Sequence, residues 1–204
     1  LEHLGVELLT GSITEYEDVD LVVCGVDAIY HLAAAFQGGG PFTEREYFDI
    51  NVNGTFNMLE AVRESADSVQ PFVYAGTDAV YAQYVPGGVS TSISEDTPKA
   101  PAGHYALTKS LGEDLCLGYH RSHGIPVTVV RFANVFGAGE ILDFPQFYLR
   151  SIADRPEASL LDTRHEKLMA MSDEFGRPYK KHIADVRDIV GGCAAVLGRN
   201  TCLG

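Results

Sequence analysis

The chain has 204 residues, room for one sizeable domain with a buried core, and its 46% hydrophobic and 21% charged residues are those of a globular protein. Its 28 acids against 15 bases leave a formal charge of −13, and Lys180-Lys181 is the only adjacent basic pair, which excludes nucleic acid as the expected partner. No apolar run reaches a membrane span and no basic-then-apolar leader opens the chain, so no membrane partner is expected either.

Leu1 is not an initiator methionine, and Leu1, Leu4 and Val6 are already apolar, so the sequence reads as a fragment or processed product. Residues 5–13 predict a short strand leaving at Gly11, and the continuous apolar run 26–34 predicts a second. Over 43–66, Phe48, Val52, Phe56, Leu59 and Val62 recur at steps of three and four, a helix stripe. Residues 71–77 predict a strand ending on small residues, and 82–103, with its Pro, Gly and Ser, a long loop. A helix follows over 104–122, where the row Leu107, Leu111 and Leu115 is taken as the face against the core. Gly124 and Pro126 stop it before a strand over 125–135, and 186–197 predicts a further helix.

Strands with consecutive apolar residues, joined by helices, imply a parallel sheet covered on both faces. Ligands then sit at the carboxyl ends of the strands, which here carry Ala33-Ala34, Gly76-Thr77 and Ala133-Asn134. The four cysteines have no C-x-x-C spacing, and Cys24, Cys116 and Cys193 lie in apolar stretches. They are read as buried reduced thiols of a cytoplasmic protein, with no metal expected.

Tyr105 and Lys109 stand four positions apart on the predicted helix, hence on one face, offset by roughly 200° from the leucine row. An ammonium beside a phenol lowers its pKa, and a phenol so tuned can exchange a proton at a hydroxyl–carbonyl carbon while hydride moves to or from a nicotinamide. Thr77, at a neighbouring strand end, would hold the substrate oxygen in line. Taken alone, a Y-x-x-x-K pair is most often surface decoration.

Six blocks change that: DAIYHLAA (27–34), NVNGTFNMLEA (51–61), FVYAGTDAVYA (72–82), SEDTPKAPAGHYALTK (94–109), VVRFANVFG (129–137) and HIADVRDIV (182–190). In kind and order they resemble the extended short-chain dehydrogenases/reductases, the NAD-dependent epimerase/dehydratase group, over nearly the whole chain. The resemblance implies an α/β fold, a Rossmann-type doubly wound parallel sheet truncated at its N-terminal edge with part of a small substrate-binding lobe. Residues 1–137 would be the partial NAD(P)-binding domain and 138–204 the partial lobe with a returning helix.

By position, the resemblance makes Tyr105 the catalytic acid/base, Lys109 the residue that tunes it and holds the nicotinamide ribose, and Thr77 the third catalytic residue. It places Leu32, Ala33 and Ala34 along the cofactor, Phe132 beside the nicotinamide, and Asp78 and Asn134 on the substrate. Asn51 either borders the cofactor cleft or bonds to neighbouring backbone. His31 reads as a structural histidine, His104 as an exposed helix-start residue, the glycines at 38–40 as a loop near the cleft, and Lys180-Lys181 as solvated surface.

The sequence also departs from the family. The glycine-rich turn and the residue that selects NAD or NADP are absent, so the chain alone is expected to bind cofactor poorly; NAD is the expected cofactor, with NADP open. Ser12 stands where many relatives have an adenine-contacting Asp, with Ile13 left to pack on the ring. Arg177 is displaced by one position from a phosphate-gripping arginine. The catalytic-strand block reads Thr77-Asp78-Ala79, without the Glu of 4,6-dehydratases. The implied function is NAD-dependent epimerisation of a nucleotide sugar. The alternatives are an NAD(P)-dependent dehydrogenase or reductase of a sugar or related carbonyl compound, and a non-catalytic NAD(P)-binding protein. Relatives pair the helices matching 43–66 and 104–122, so a homodimer is expected, through Met58, Leu115 and Tyr119.

Overall fold

The structure, a computed structural model, describes residues 2–36, 42–65, 69, 71–82, 89, 91–140, 148, 172, 175–177 and 182–197. The chain divides into two compact units, residues 1–132 with 191–204, and residues 133–190.

In the first unit the order is α1 (Tyr16–Val23), β1 (Ile29–His31), α2 (Glu44–Phe48), a π-helical turn (Asp49–Asn53), α3 (Gly54–Glu64), β2 (Phe72–Thr77), a 3₁₀ turn (Asp78–Val80), α4 (Gly103–His123) and β3 (Val127–Phe132). The three strands form one parallel sheet in the order β1-β2-β3, with Ile29 opposite Phe72, Phe72 opposite Val127 and Thr77 opposite Phe132. All six residues of β2 are buried, as a central parallel strand covered on both faces requires. The second unit contains the parallel pair β4 (Asn134–Phe136) and β5 (Ile183–Asp185). The helix α5 (Val186–Val196) begins there and ends in the first unit.

Local chemistry accounts for the helix limits. Thr43 caps α2 in a reciprocal box with Glu46: the Glu46 N–H donates to Thr43 Oγ1, and the Thr43 N–H and hydroxyl both donate to Glu46 Oε2. Gly124, at φ +73°, closes α4 in the left-handed conformation, and its N–H bonds His120 O at 2.9 Å. The core gathers Val19 and Val23 of α1, Met58, Leu59 and Val62 of α3, Phe72 and Tyr74 of β2, Cys116 of α4 and Val127 of β3.

Several expectations are corrected. Residues 5–13 form no strand: Gly5–Gly11 are exposed and no strand among the described residues pairs with them, since apolar content creates a ladder only where a partner exists. The second run narrows to Ile29–His31, with Leu32 59% exposed beyond it. The predicted helix over 43–66 is present but interrupted by the π turn, and the helix α1 was not anticipated.

The largest correction concerns α4. Leu107 and Leu111 are exposed, whereas Ala106, Thr108, Lys109, Ser110, Gly112, Glu113 and Cys116 are buried, so the leucine row is not the face against the sheet. A Cβ on Gly112 would collide with the Tyr74 hydroxyl, which donates to Lys109 O at 3.1 Å. The helix thus lies close to β2 on small residues, a distance that leucines would not permit. Met58, expected at an interface, is 7% exposed within the core. Cys24 is exposed rather than buried, while Cys116 is buried and Cys193 intermediate; all three are free thiols.

Candidate active site

Thr77 ends β2 and caps the following turn, its Oγ1 accepting the Ala79 N–H at 3.2 Å. The same hydroxyl lies near the phenol of Tyr105, in the first turn of α4, where it favours the ionised form. The phenol is half-buried and its edge meets Phe36, with ring centroids 5.6 Å apart at 87°. Burial pushes its pKa above the ordinary value, the Thr77 hydrogen bond pulls it down, and the nearby Asp78 and Tyr47 push it up.

Lys109 is one turn further on, 3% exposed, with Nζ 4.2 Å from the centre of the Tyr74 ring. Burial holds its pKa down at about 8. The expected lowering of the Tyr105 pKa by this ammonium is not found: the downward pull comes from Thr77, and Lys109 is turned inward over Tyr74. The spacing put the pair on one face correctly, yet that face is the buried one.

Asn51, 1% exposed in the π turn, is committed to protein groups. Its Oδ1 accepts the Ala35 N–H at 2.7 Å, and its Nδ2 donates to Ala35 O at 3.2 Å and to Thr108 Oγ1 at 3.0 Å. One amide therefore ties the segment after β1 to α4, and the π turn re-aims the side chain to do so. His31, 3% exposed, bonds Thr55 Oγ1 at 3.0 Å, and Thr55 in turn donates to Asn51 O at 2.7 Å. Thr55 therefore accepts from His31, whose Nε2 carries the proton. Burial, then the Lys109 charge, hold the His31 pKa at about 3, so the ring is a neutral structural group.

The other sequence candidates are distributed as follows. Leu32 and Ala33 are exposed and Ala34 intermediate, just past β1, and Phe132 ends β3 opposite Thr77. Ser12 is exposed, its N–H donating to Asp18 at 2.9 Å, and Ile13 packs against Gly54 at the start of α3. Asn134 belongs to the second unit, where its Nδ2 donates to His182 O at 3.1 Å. His104 meets Glu44 at 2.9 Å, and the Arg177 guanidinium lies 5.3 Å from the Phe175 ring. Residues 38–40, Lys180, Lys181 and Cys202 lie outside the described residues. Among the described residues, no group of three His, Cys, Asp or Glu is placed to hold a metal, and no helix is long and apolar enough to cross a membrane.

The sequence reading missed a buried ionic network behind the site. Glu113, 1% exposed, receives both Nε (3.0 Å) and Nη2 of Arg131, with Lys99 Nζ 3.4 Å away. Arg131 Nη1 donates to the Tyr81 hydroxyl and to Glu95 O. Burial pushes the Glu113 carboxyl up, but Arg131 and Lys99 hold it below the usual range. The available signal was the continuation of the Tyr105–Lys109 spacing by four more positions to Glu113.

With this geometry in place, comparison with known proteins decides the family. The model of the NAD dependent epimerase/dehydratase family matches residues 1–200. The chain belongs to that family. It is 31% identical over 193 residues to a protein of Bacillus subtilis named as an uncharacterized UDP-glucose epimerase, covering 92% of this chain and 54% of that one. It is 37% identical over 128 residues to the dTDP-glucose 4,6-dehydratase of Streptomyces niveus, covering 62% and 36%. Among solved structures, a short-chain dehydrogenase/reductase superfamily protein from Agrobacterium tumefaciens with bound NAD superposes with a TM-score of 0.86 at 30% identity, over 100% of this chain and 66% of that one. The fold is accordingly the Rossmann-type α/β of that superfamily. This family member spans about half the length of the first of these curated relatives and a third of the second.

Proposed function

We propose that the protein carrying this chain is an NAD-dependent epimerase of a nucleotide sugar, with Thr77, Tyr105 and Lys109 as its proton-transfer site. The observation that carries the reading is the convergence of Thr77, at the end of β2 and fixed by the Ala79 N–H, on Tyr105 in the first turn of α4, with Lys109 one turn further along that helix.

The residues fit the cofactor. The open apolar strand end Leu32-Ala33-Ala34 suits close approach of a ring to backbone, and Tyr105, Lys109 and Phe132 stand at the adjoining sheet and helix ends. When bound, NAD supplies the hydride acceptor and, in the return step, the donor. Tyr105 takes the proton of the sugar hydroxyl and later gives it back, while the Thr77 hydroxyl steadies the phenolate oxygen. Lys109 carries the compensating positive charge, and its pKa of about 8 keeps it charged at neutral pH. Ala79 leaves no carboxylate at the position from which a dehydratase would eliminate water, so the chain departs there from its dehydratase relatives. Asp78 and Asn134 are assigned to the substrate, Ser12 and Ile13 to the adenine side, and residues 138–204 to the substrate lobe.

A second reading, a dehydrogenase or reductase of a sugar or related carbonyl compound, is favoured by the raised Tyr105 pKa, because a phenol that keeps its proton is suited to protonating a carbonyl oxygen. The free thiols suit a cytoplasmic location. The exposed Phe48, Leu107 and Leu111, beside Val52, Leu115 and Tyr119, suit a homodimer through α2 and α4.

The test is to incubate the full-length protein with NAD or NADP and a panel of nucleotide sugars and free sugars, following reduced-nicotinamide absorbance and analysing the sugars by chromatography. An altered sugar without net reduction is the expected result. Steady accumulation of reduced cofactor would establish the dehydrogenase instead, and no conversion of any substrate would favour a silent cofactor-binding protein.

A further inference from the structure

We propose that Arg131, held by Glu113, is a positioning residue that sets the approach of the Thr77 hydroxyl to the Tyr105 phenol. This rests on the assignment of Tyr105 as the acid/base.

Tyr105, Lys109 and Glu113 follow one another at steps of four on α4, so Glu113 is two turns beyond the phenol on the sheet-facing side. Arg131 stands on β3 opposite Gly76, the residue before Thr77. A Cβ on Gly76 would stand 3.1 Å from Arg131 Cγ and 3.1 Å from Val129 Cγ1. A side chain at Gly76 would press on the arginine stem, so the glycine leaves room for it beside β2.

The planar guanidinium then binds three separate segments at once. Nε and Nη2 fork onto the Glu113 carboxylate of α4. Nη1 donates to the Tyr81 hydroxyl, and also to Glu95 O at 3.3 Å in the loop before α4. Tyr81 is bonded to the active turn itself: its N–H donates to Asp78 O at 3.1 Å, next to the Ala79 N–H that orients Thr77. Arg131 thus connects the turn that carries Thr77 to the helix that carries Tyr105, with both ends fixed by hydrogen bonds.

A purely structural bolt is the weaker explanation. Taking the Glu113 carboxylate out of water is costly even when Arg131 pairs with it, and well-packed apolar residues often replace such pairs without loss of stability. What apolar packing does not supply is the fixed fork geometry that Arg131 imposes on Tyr81 and Glu113 together.

The test uses the full-length protein with NAD, labelled with ¹³Cζ-tyrosine, its Tyr105 resonance assigned through Tyr105→Phe and observed at neutral pH. That carbon reports the hydrogen bond at the phenol oxygen, and Thr77→Val gives the position of the signal without it. Arg131→Lys keeps the charge but loses the fork, and Tyr81→Phe removes only the oxygen that Arg131 holds. Both are expected to move the Tyr105 signal most of the way to its Thr77→Val position, and Thr77→Val/Arg131→Lys to move it no further than Thr77→Val alone. Should Arg131→Lys fail to fold, Tyr81→Phe decides. A wild-type signal in both variants, with a displaced one in Thr77→Val, would overturn the positioning role and leave the Tyr105 assignment standing. An undisplaced signal in Thr77→Val would overturn the Thr77–Tyr105 contact, and the positioning role with it.

Discussion

Lys109 illustrates what a buried ammonium costs its fold. Its ammonium is buried against the face of Tyr74, and its pKa falls from an ordinary 10.5 to about 8. The unfolded chain therefore binds more protons than the folded one between those values, and stability rises with pH across about 8 to 10.5. Lys109→Met removes the buried charge while keeping the stem volume. It is expected to raise the melting temperature at pH 7 and to flatten the rise above pH 8, while turnover is lost; an unchanged melting temperature would contradict the burial cost. His31 has the same sign in another window. With a folded pKa of about 3 against an ordinary 6.5, its neutral ring stabilises the fold fully above 6.5, and the contribution falls away as the pH drops toward 3. His31→Gln should make acid unfolding, followed by circular dichroism, less steep across that range. At this scale the identity of the proposed site residues Thr77, Tyr105 and Lys109 was legible from motif and spacing. Which groups set the Tyr105 pKa was not, because that depends on burial and on the hydroxyl of Thr77.

Among the elements, the seam between α4 and β2 is decisive. The sequence places the helix correctly but not its facing, because hydropathy favours a leucine row over Lys109 and Glu113 as the buried side. The structure buries small and polar residues instead, since close approach to β2 requires them and the charges are satisfied across the seam. Gly112→Ala would drive a methyl into the Tyr74 hydroxyl and is expected to destabilise the protein by about 2 kcal/mol. Tyr74→Phe relieves that clash, so the double variant should unfold at a denaturant midpoint above that of Gly112→Ala; simple additivity of the two losses would contradict the seam geometry. The helix α1 escaped the sequence reading although Tyr16, Val19 and Val23 step by three and four, because eight residues are a short window and three of them are acidic. Residues 5–13 failed in the opposite way: strand composition was present, but pairing is a non-local property that composition does not carry.

For the molecule as a whole, Leu107 and Leu111, the part of the leucine row left outside the core, acquire a purpose. Leu111 lines an open apolar surface with Phe48 of α2, and Leu107, one turn before it on α4, is exposed too, in keeping with the proposed homodimer. Leu111→Glu is expected to convert a dimer into a monomer in sedimentation of the full-length protein at micromolar concentration. A wild-type monomer would contradict the proposed assembly. Fold and family were both legible in six short blocks because each contains a strand or part of a helix of the family's fold. The ionic bracket was not, because Tyr81, Glu113 and Arg131 meet only after the sheet has formed.

Tyr105 is the proposed carrier of the proton in this site, and wild-type full-length protein is to be compared with Tyr105→Phe for NAD affinity and for turnover of the substrate the panel identifies. Retained NAD binding with turnover reduced by a factor of about 10² to 10⁴ is the predicted result. Unchanged turnover in Tyr105→Phe would contradict the account.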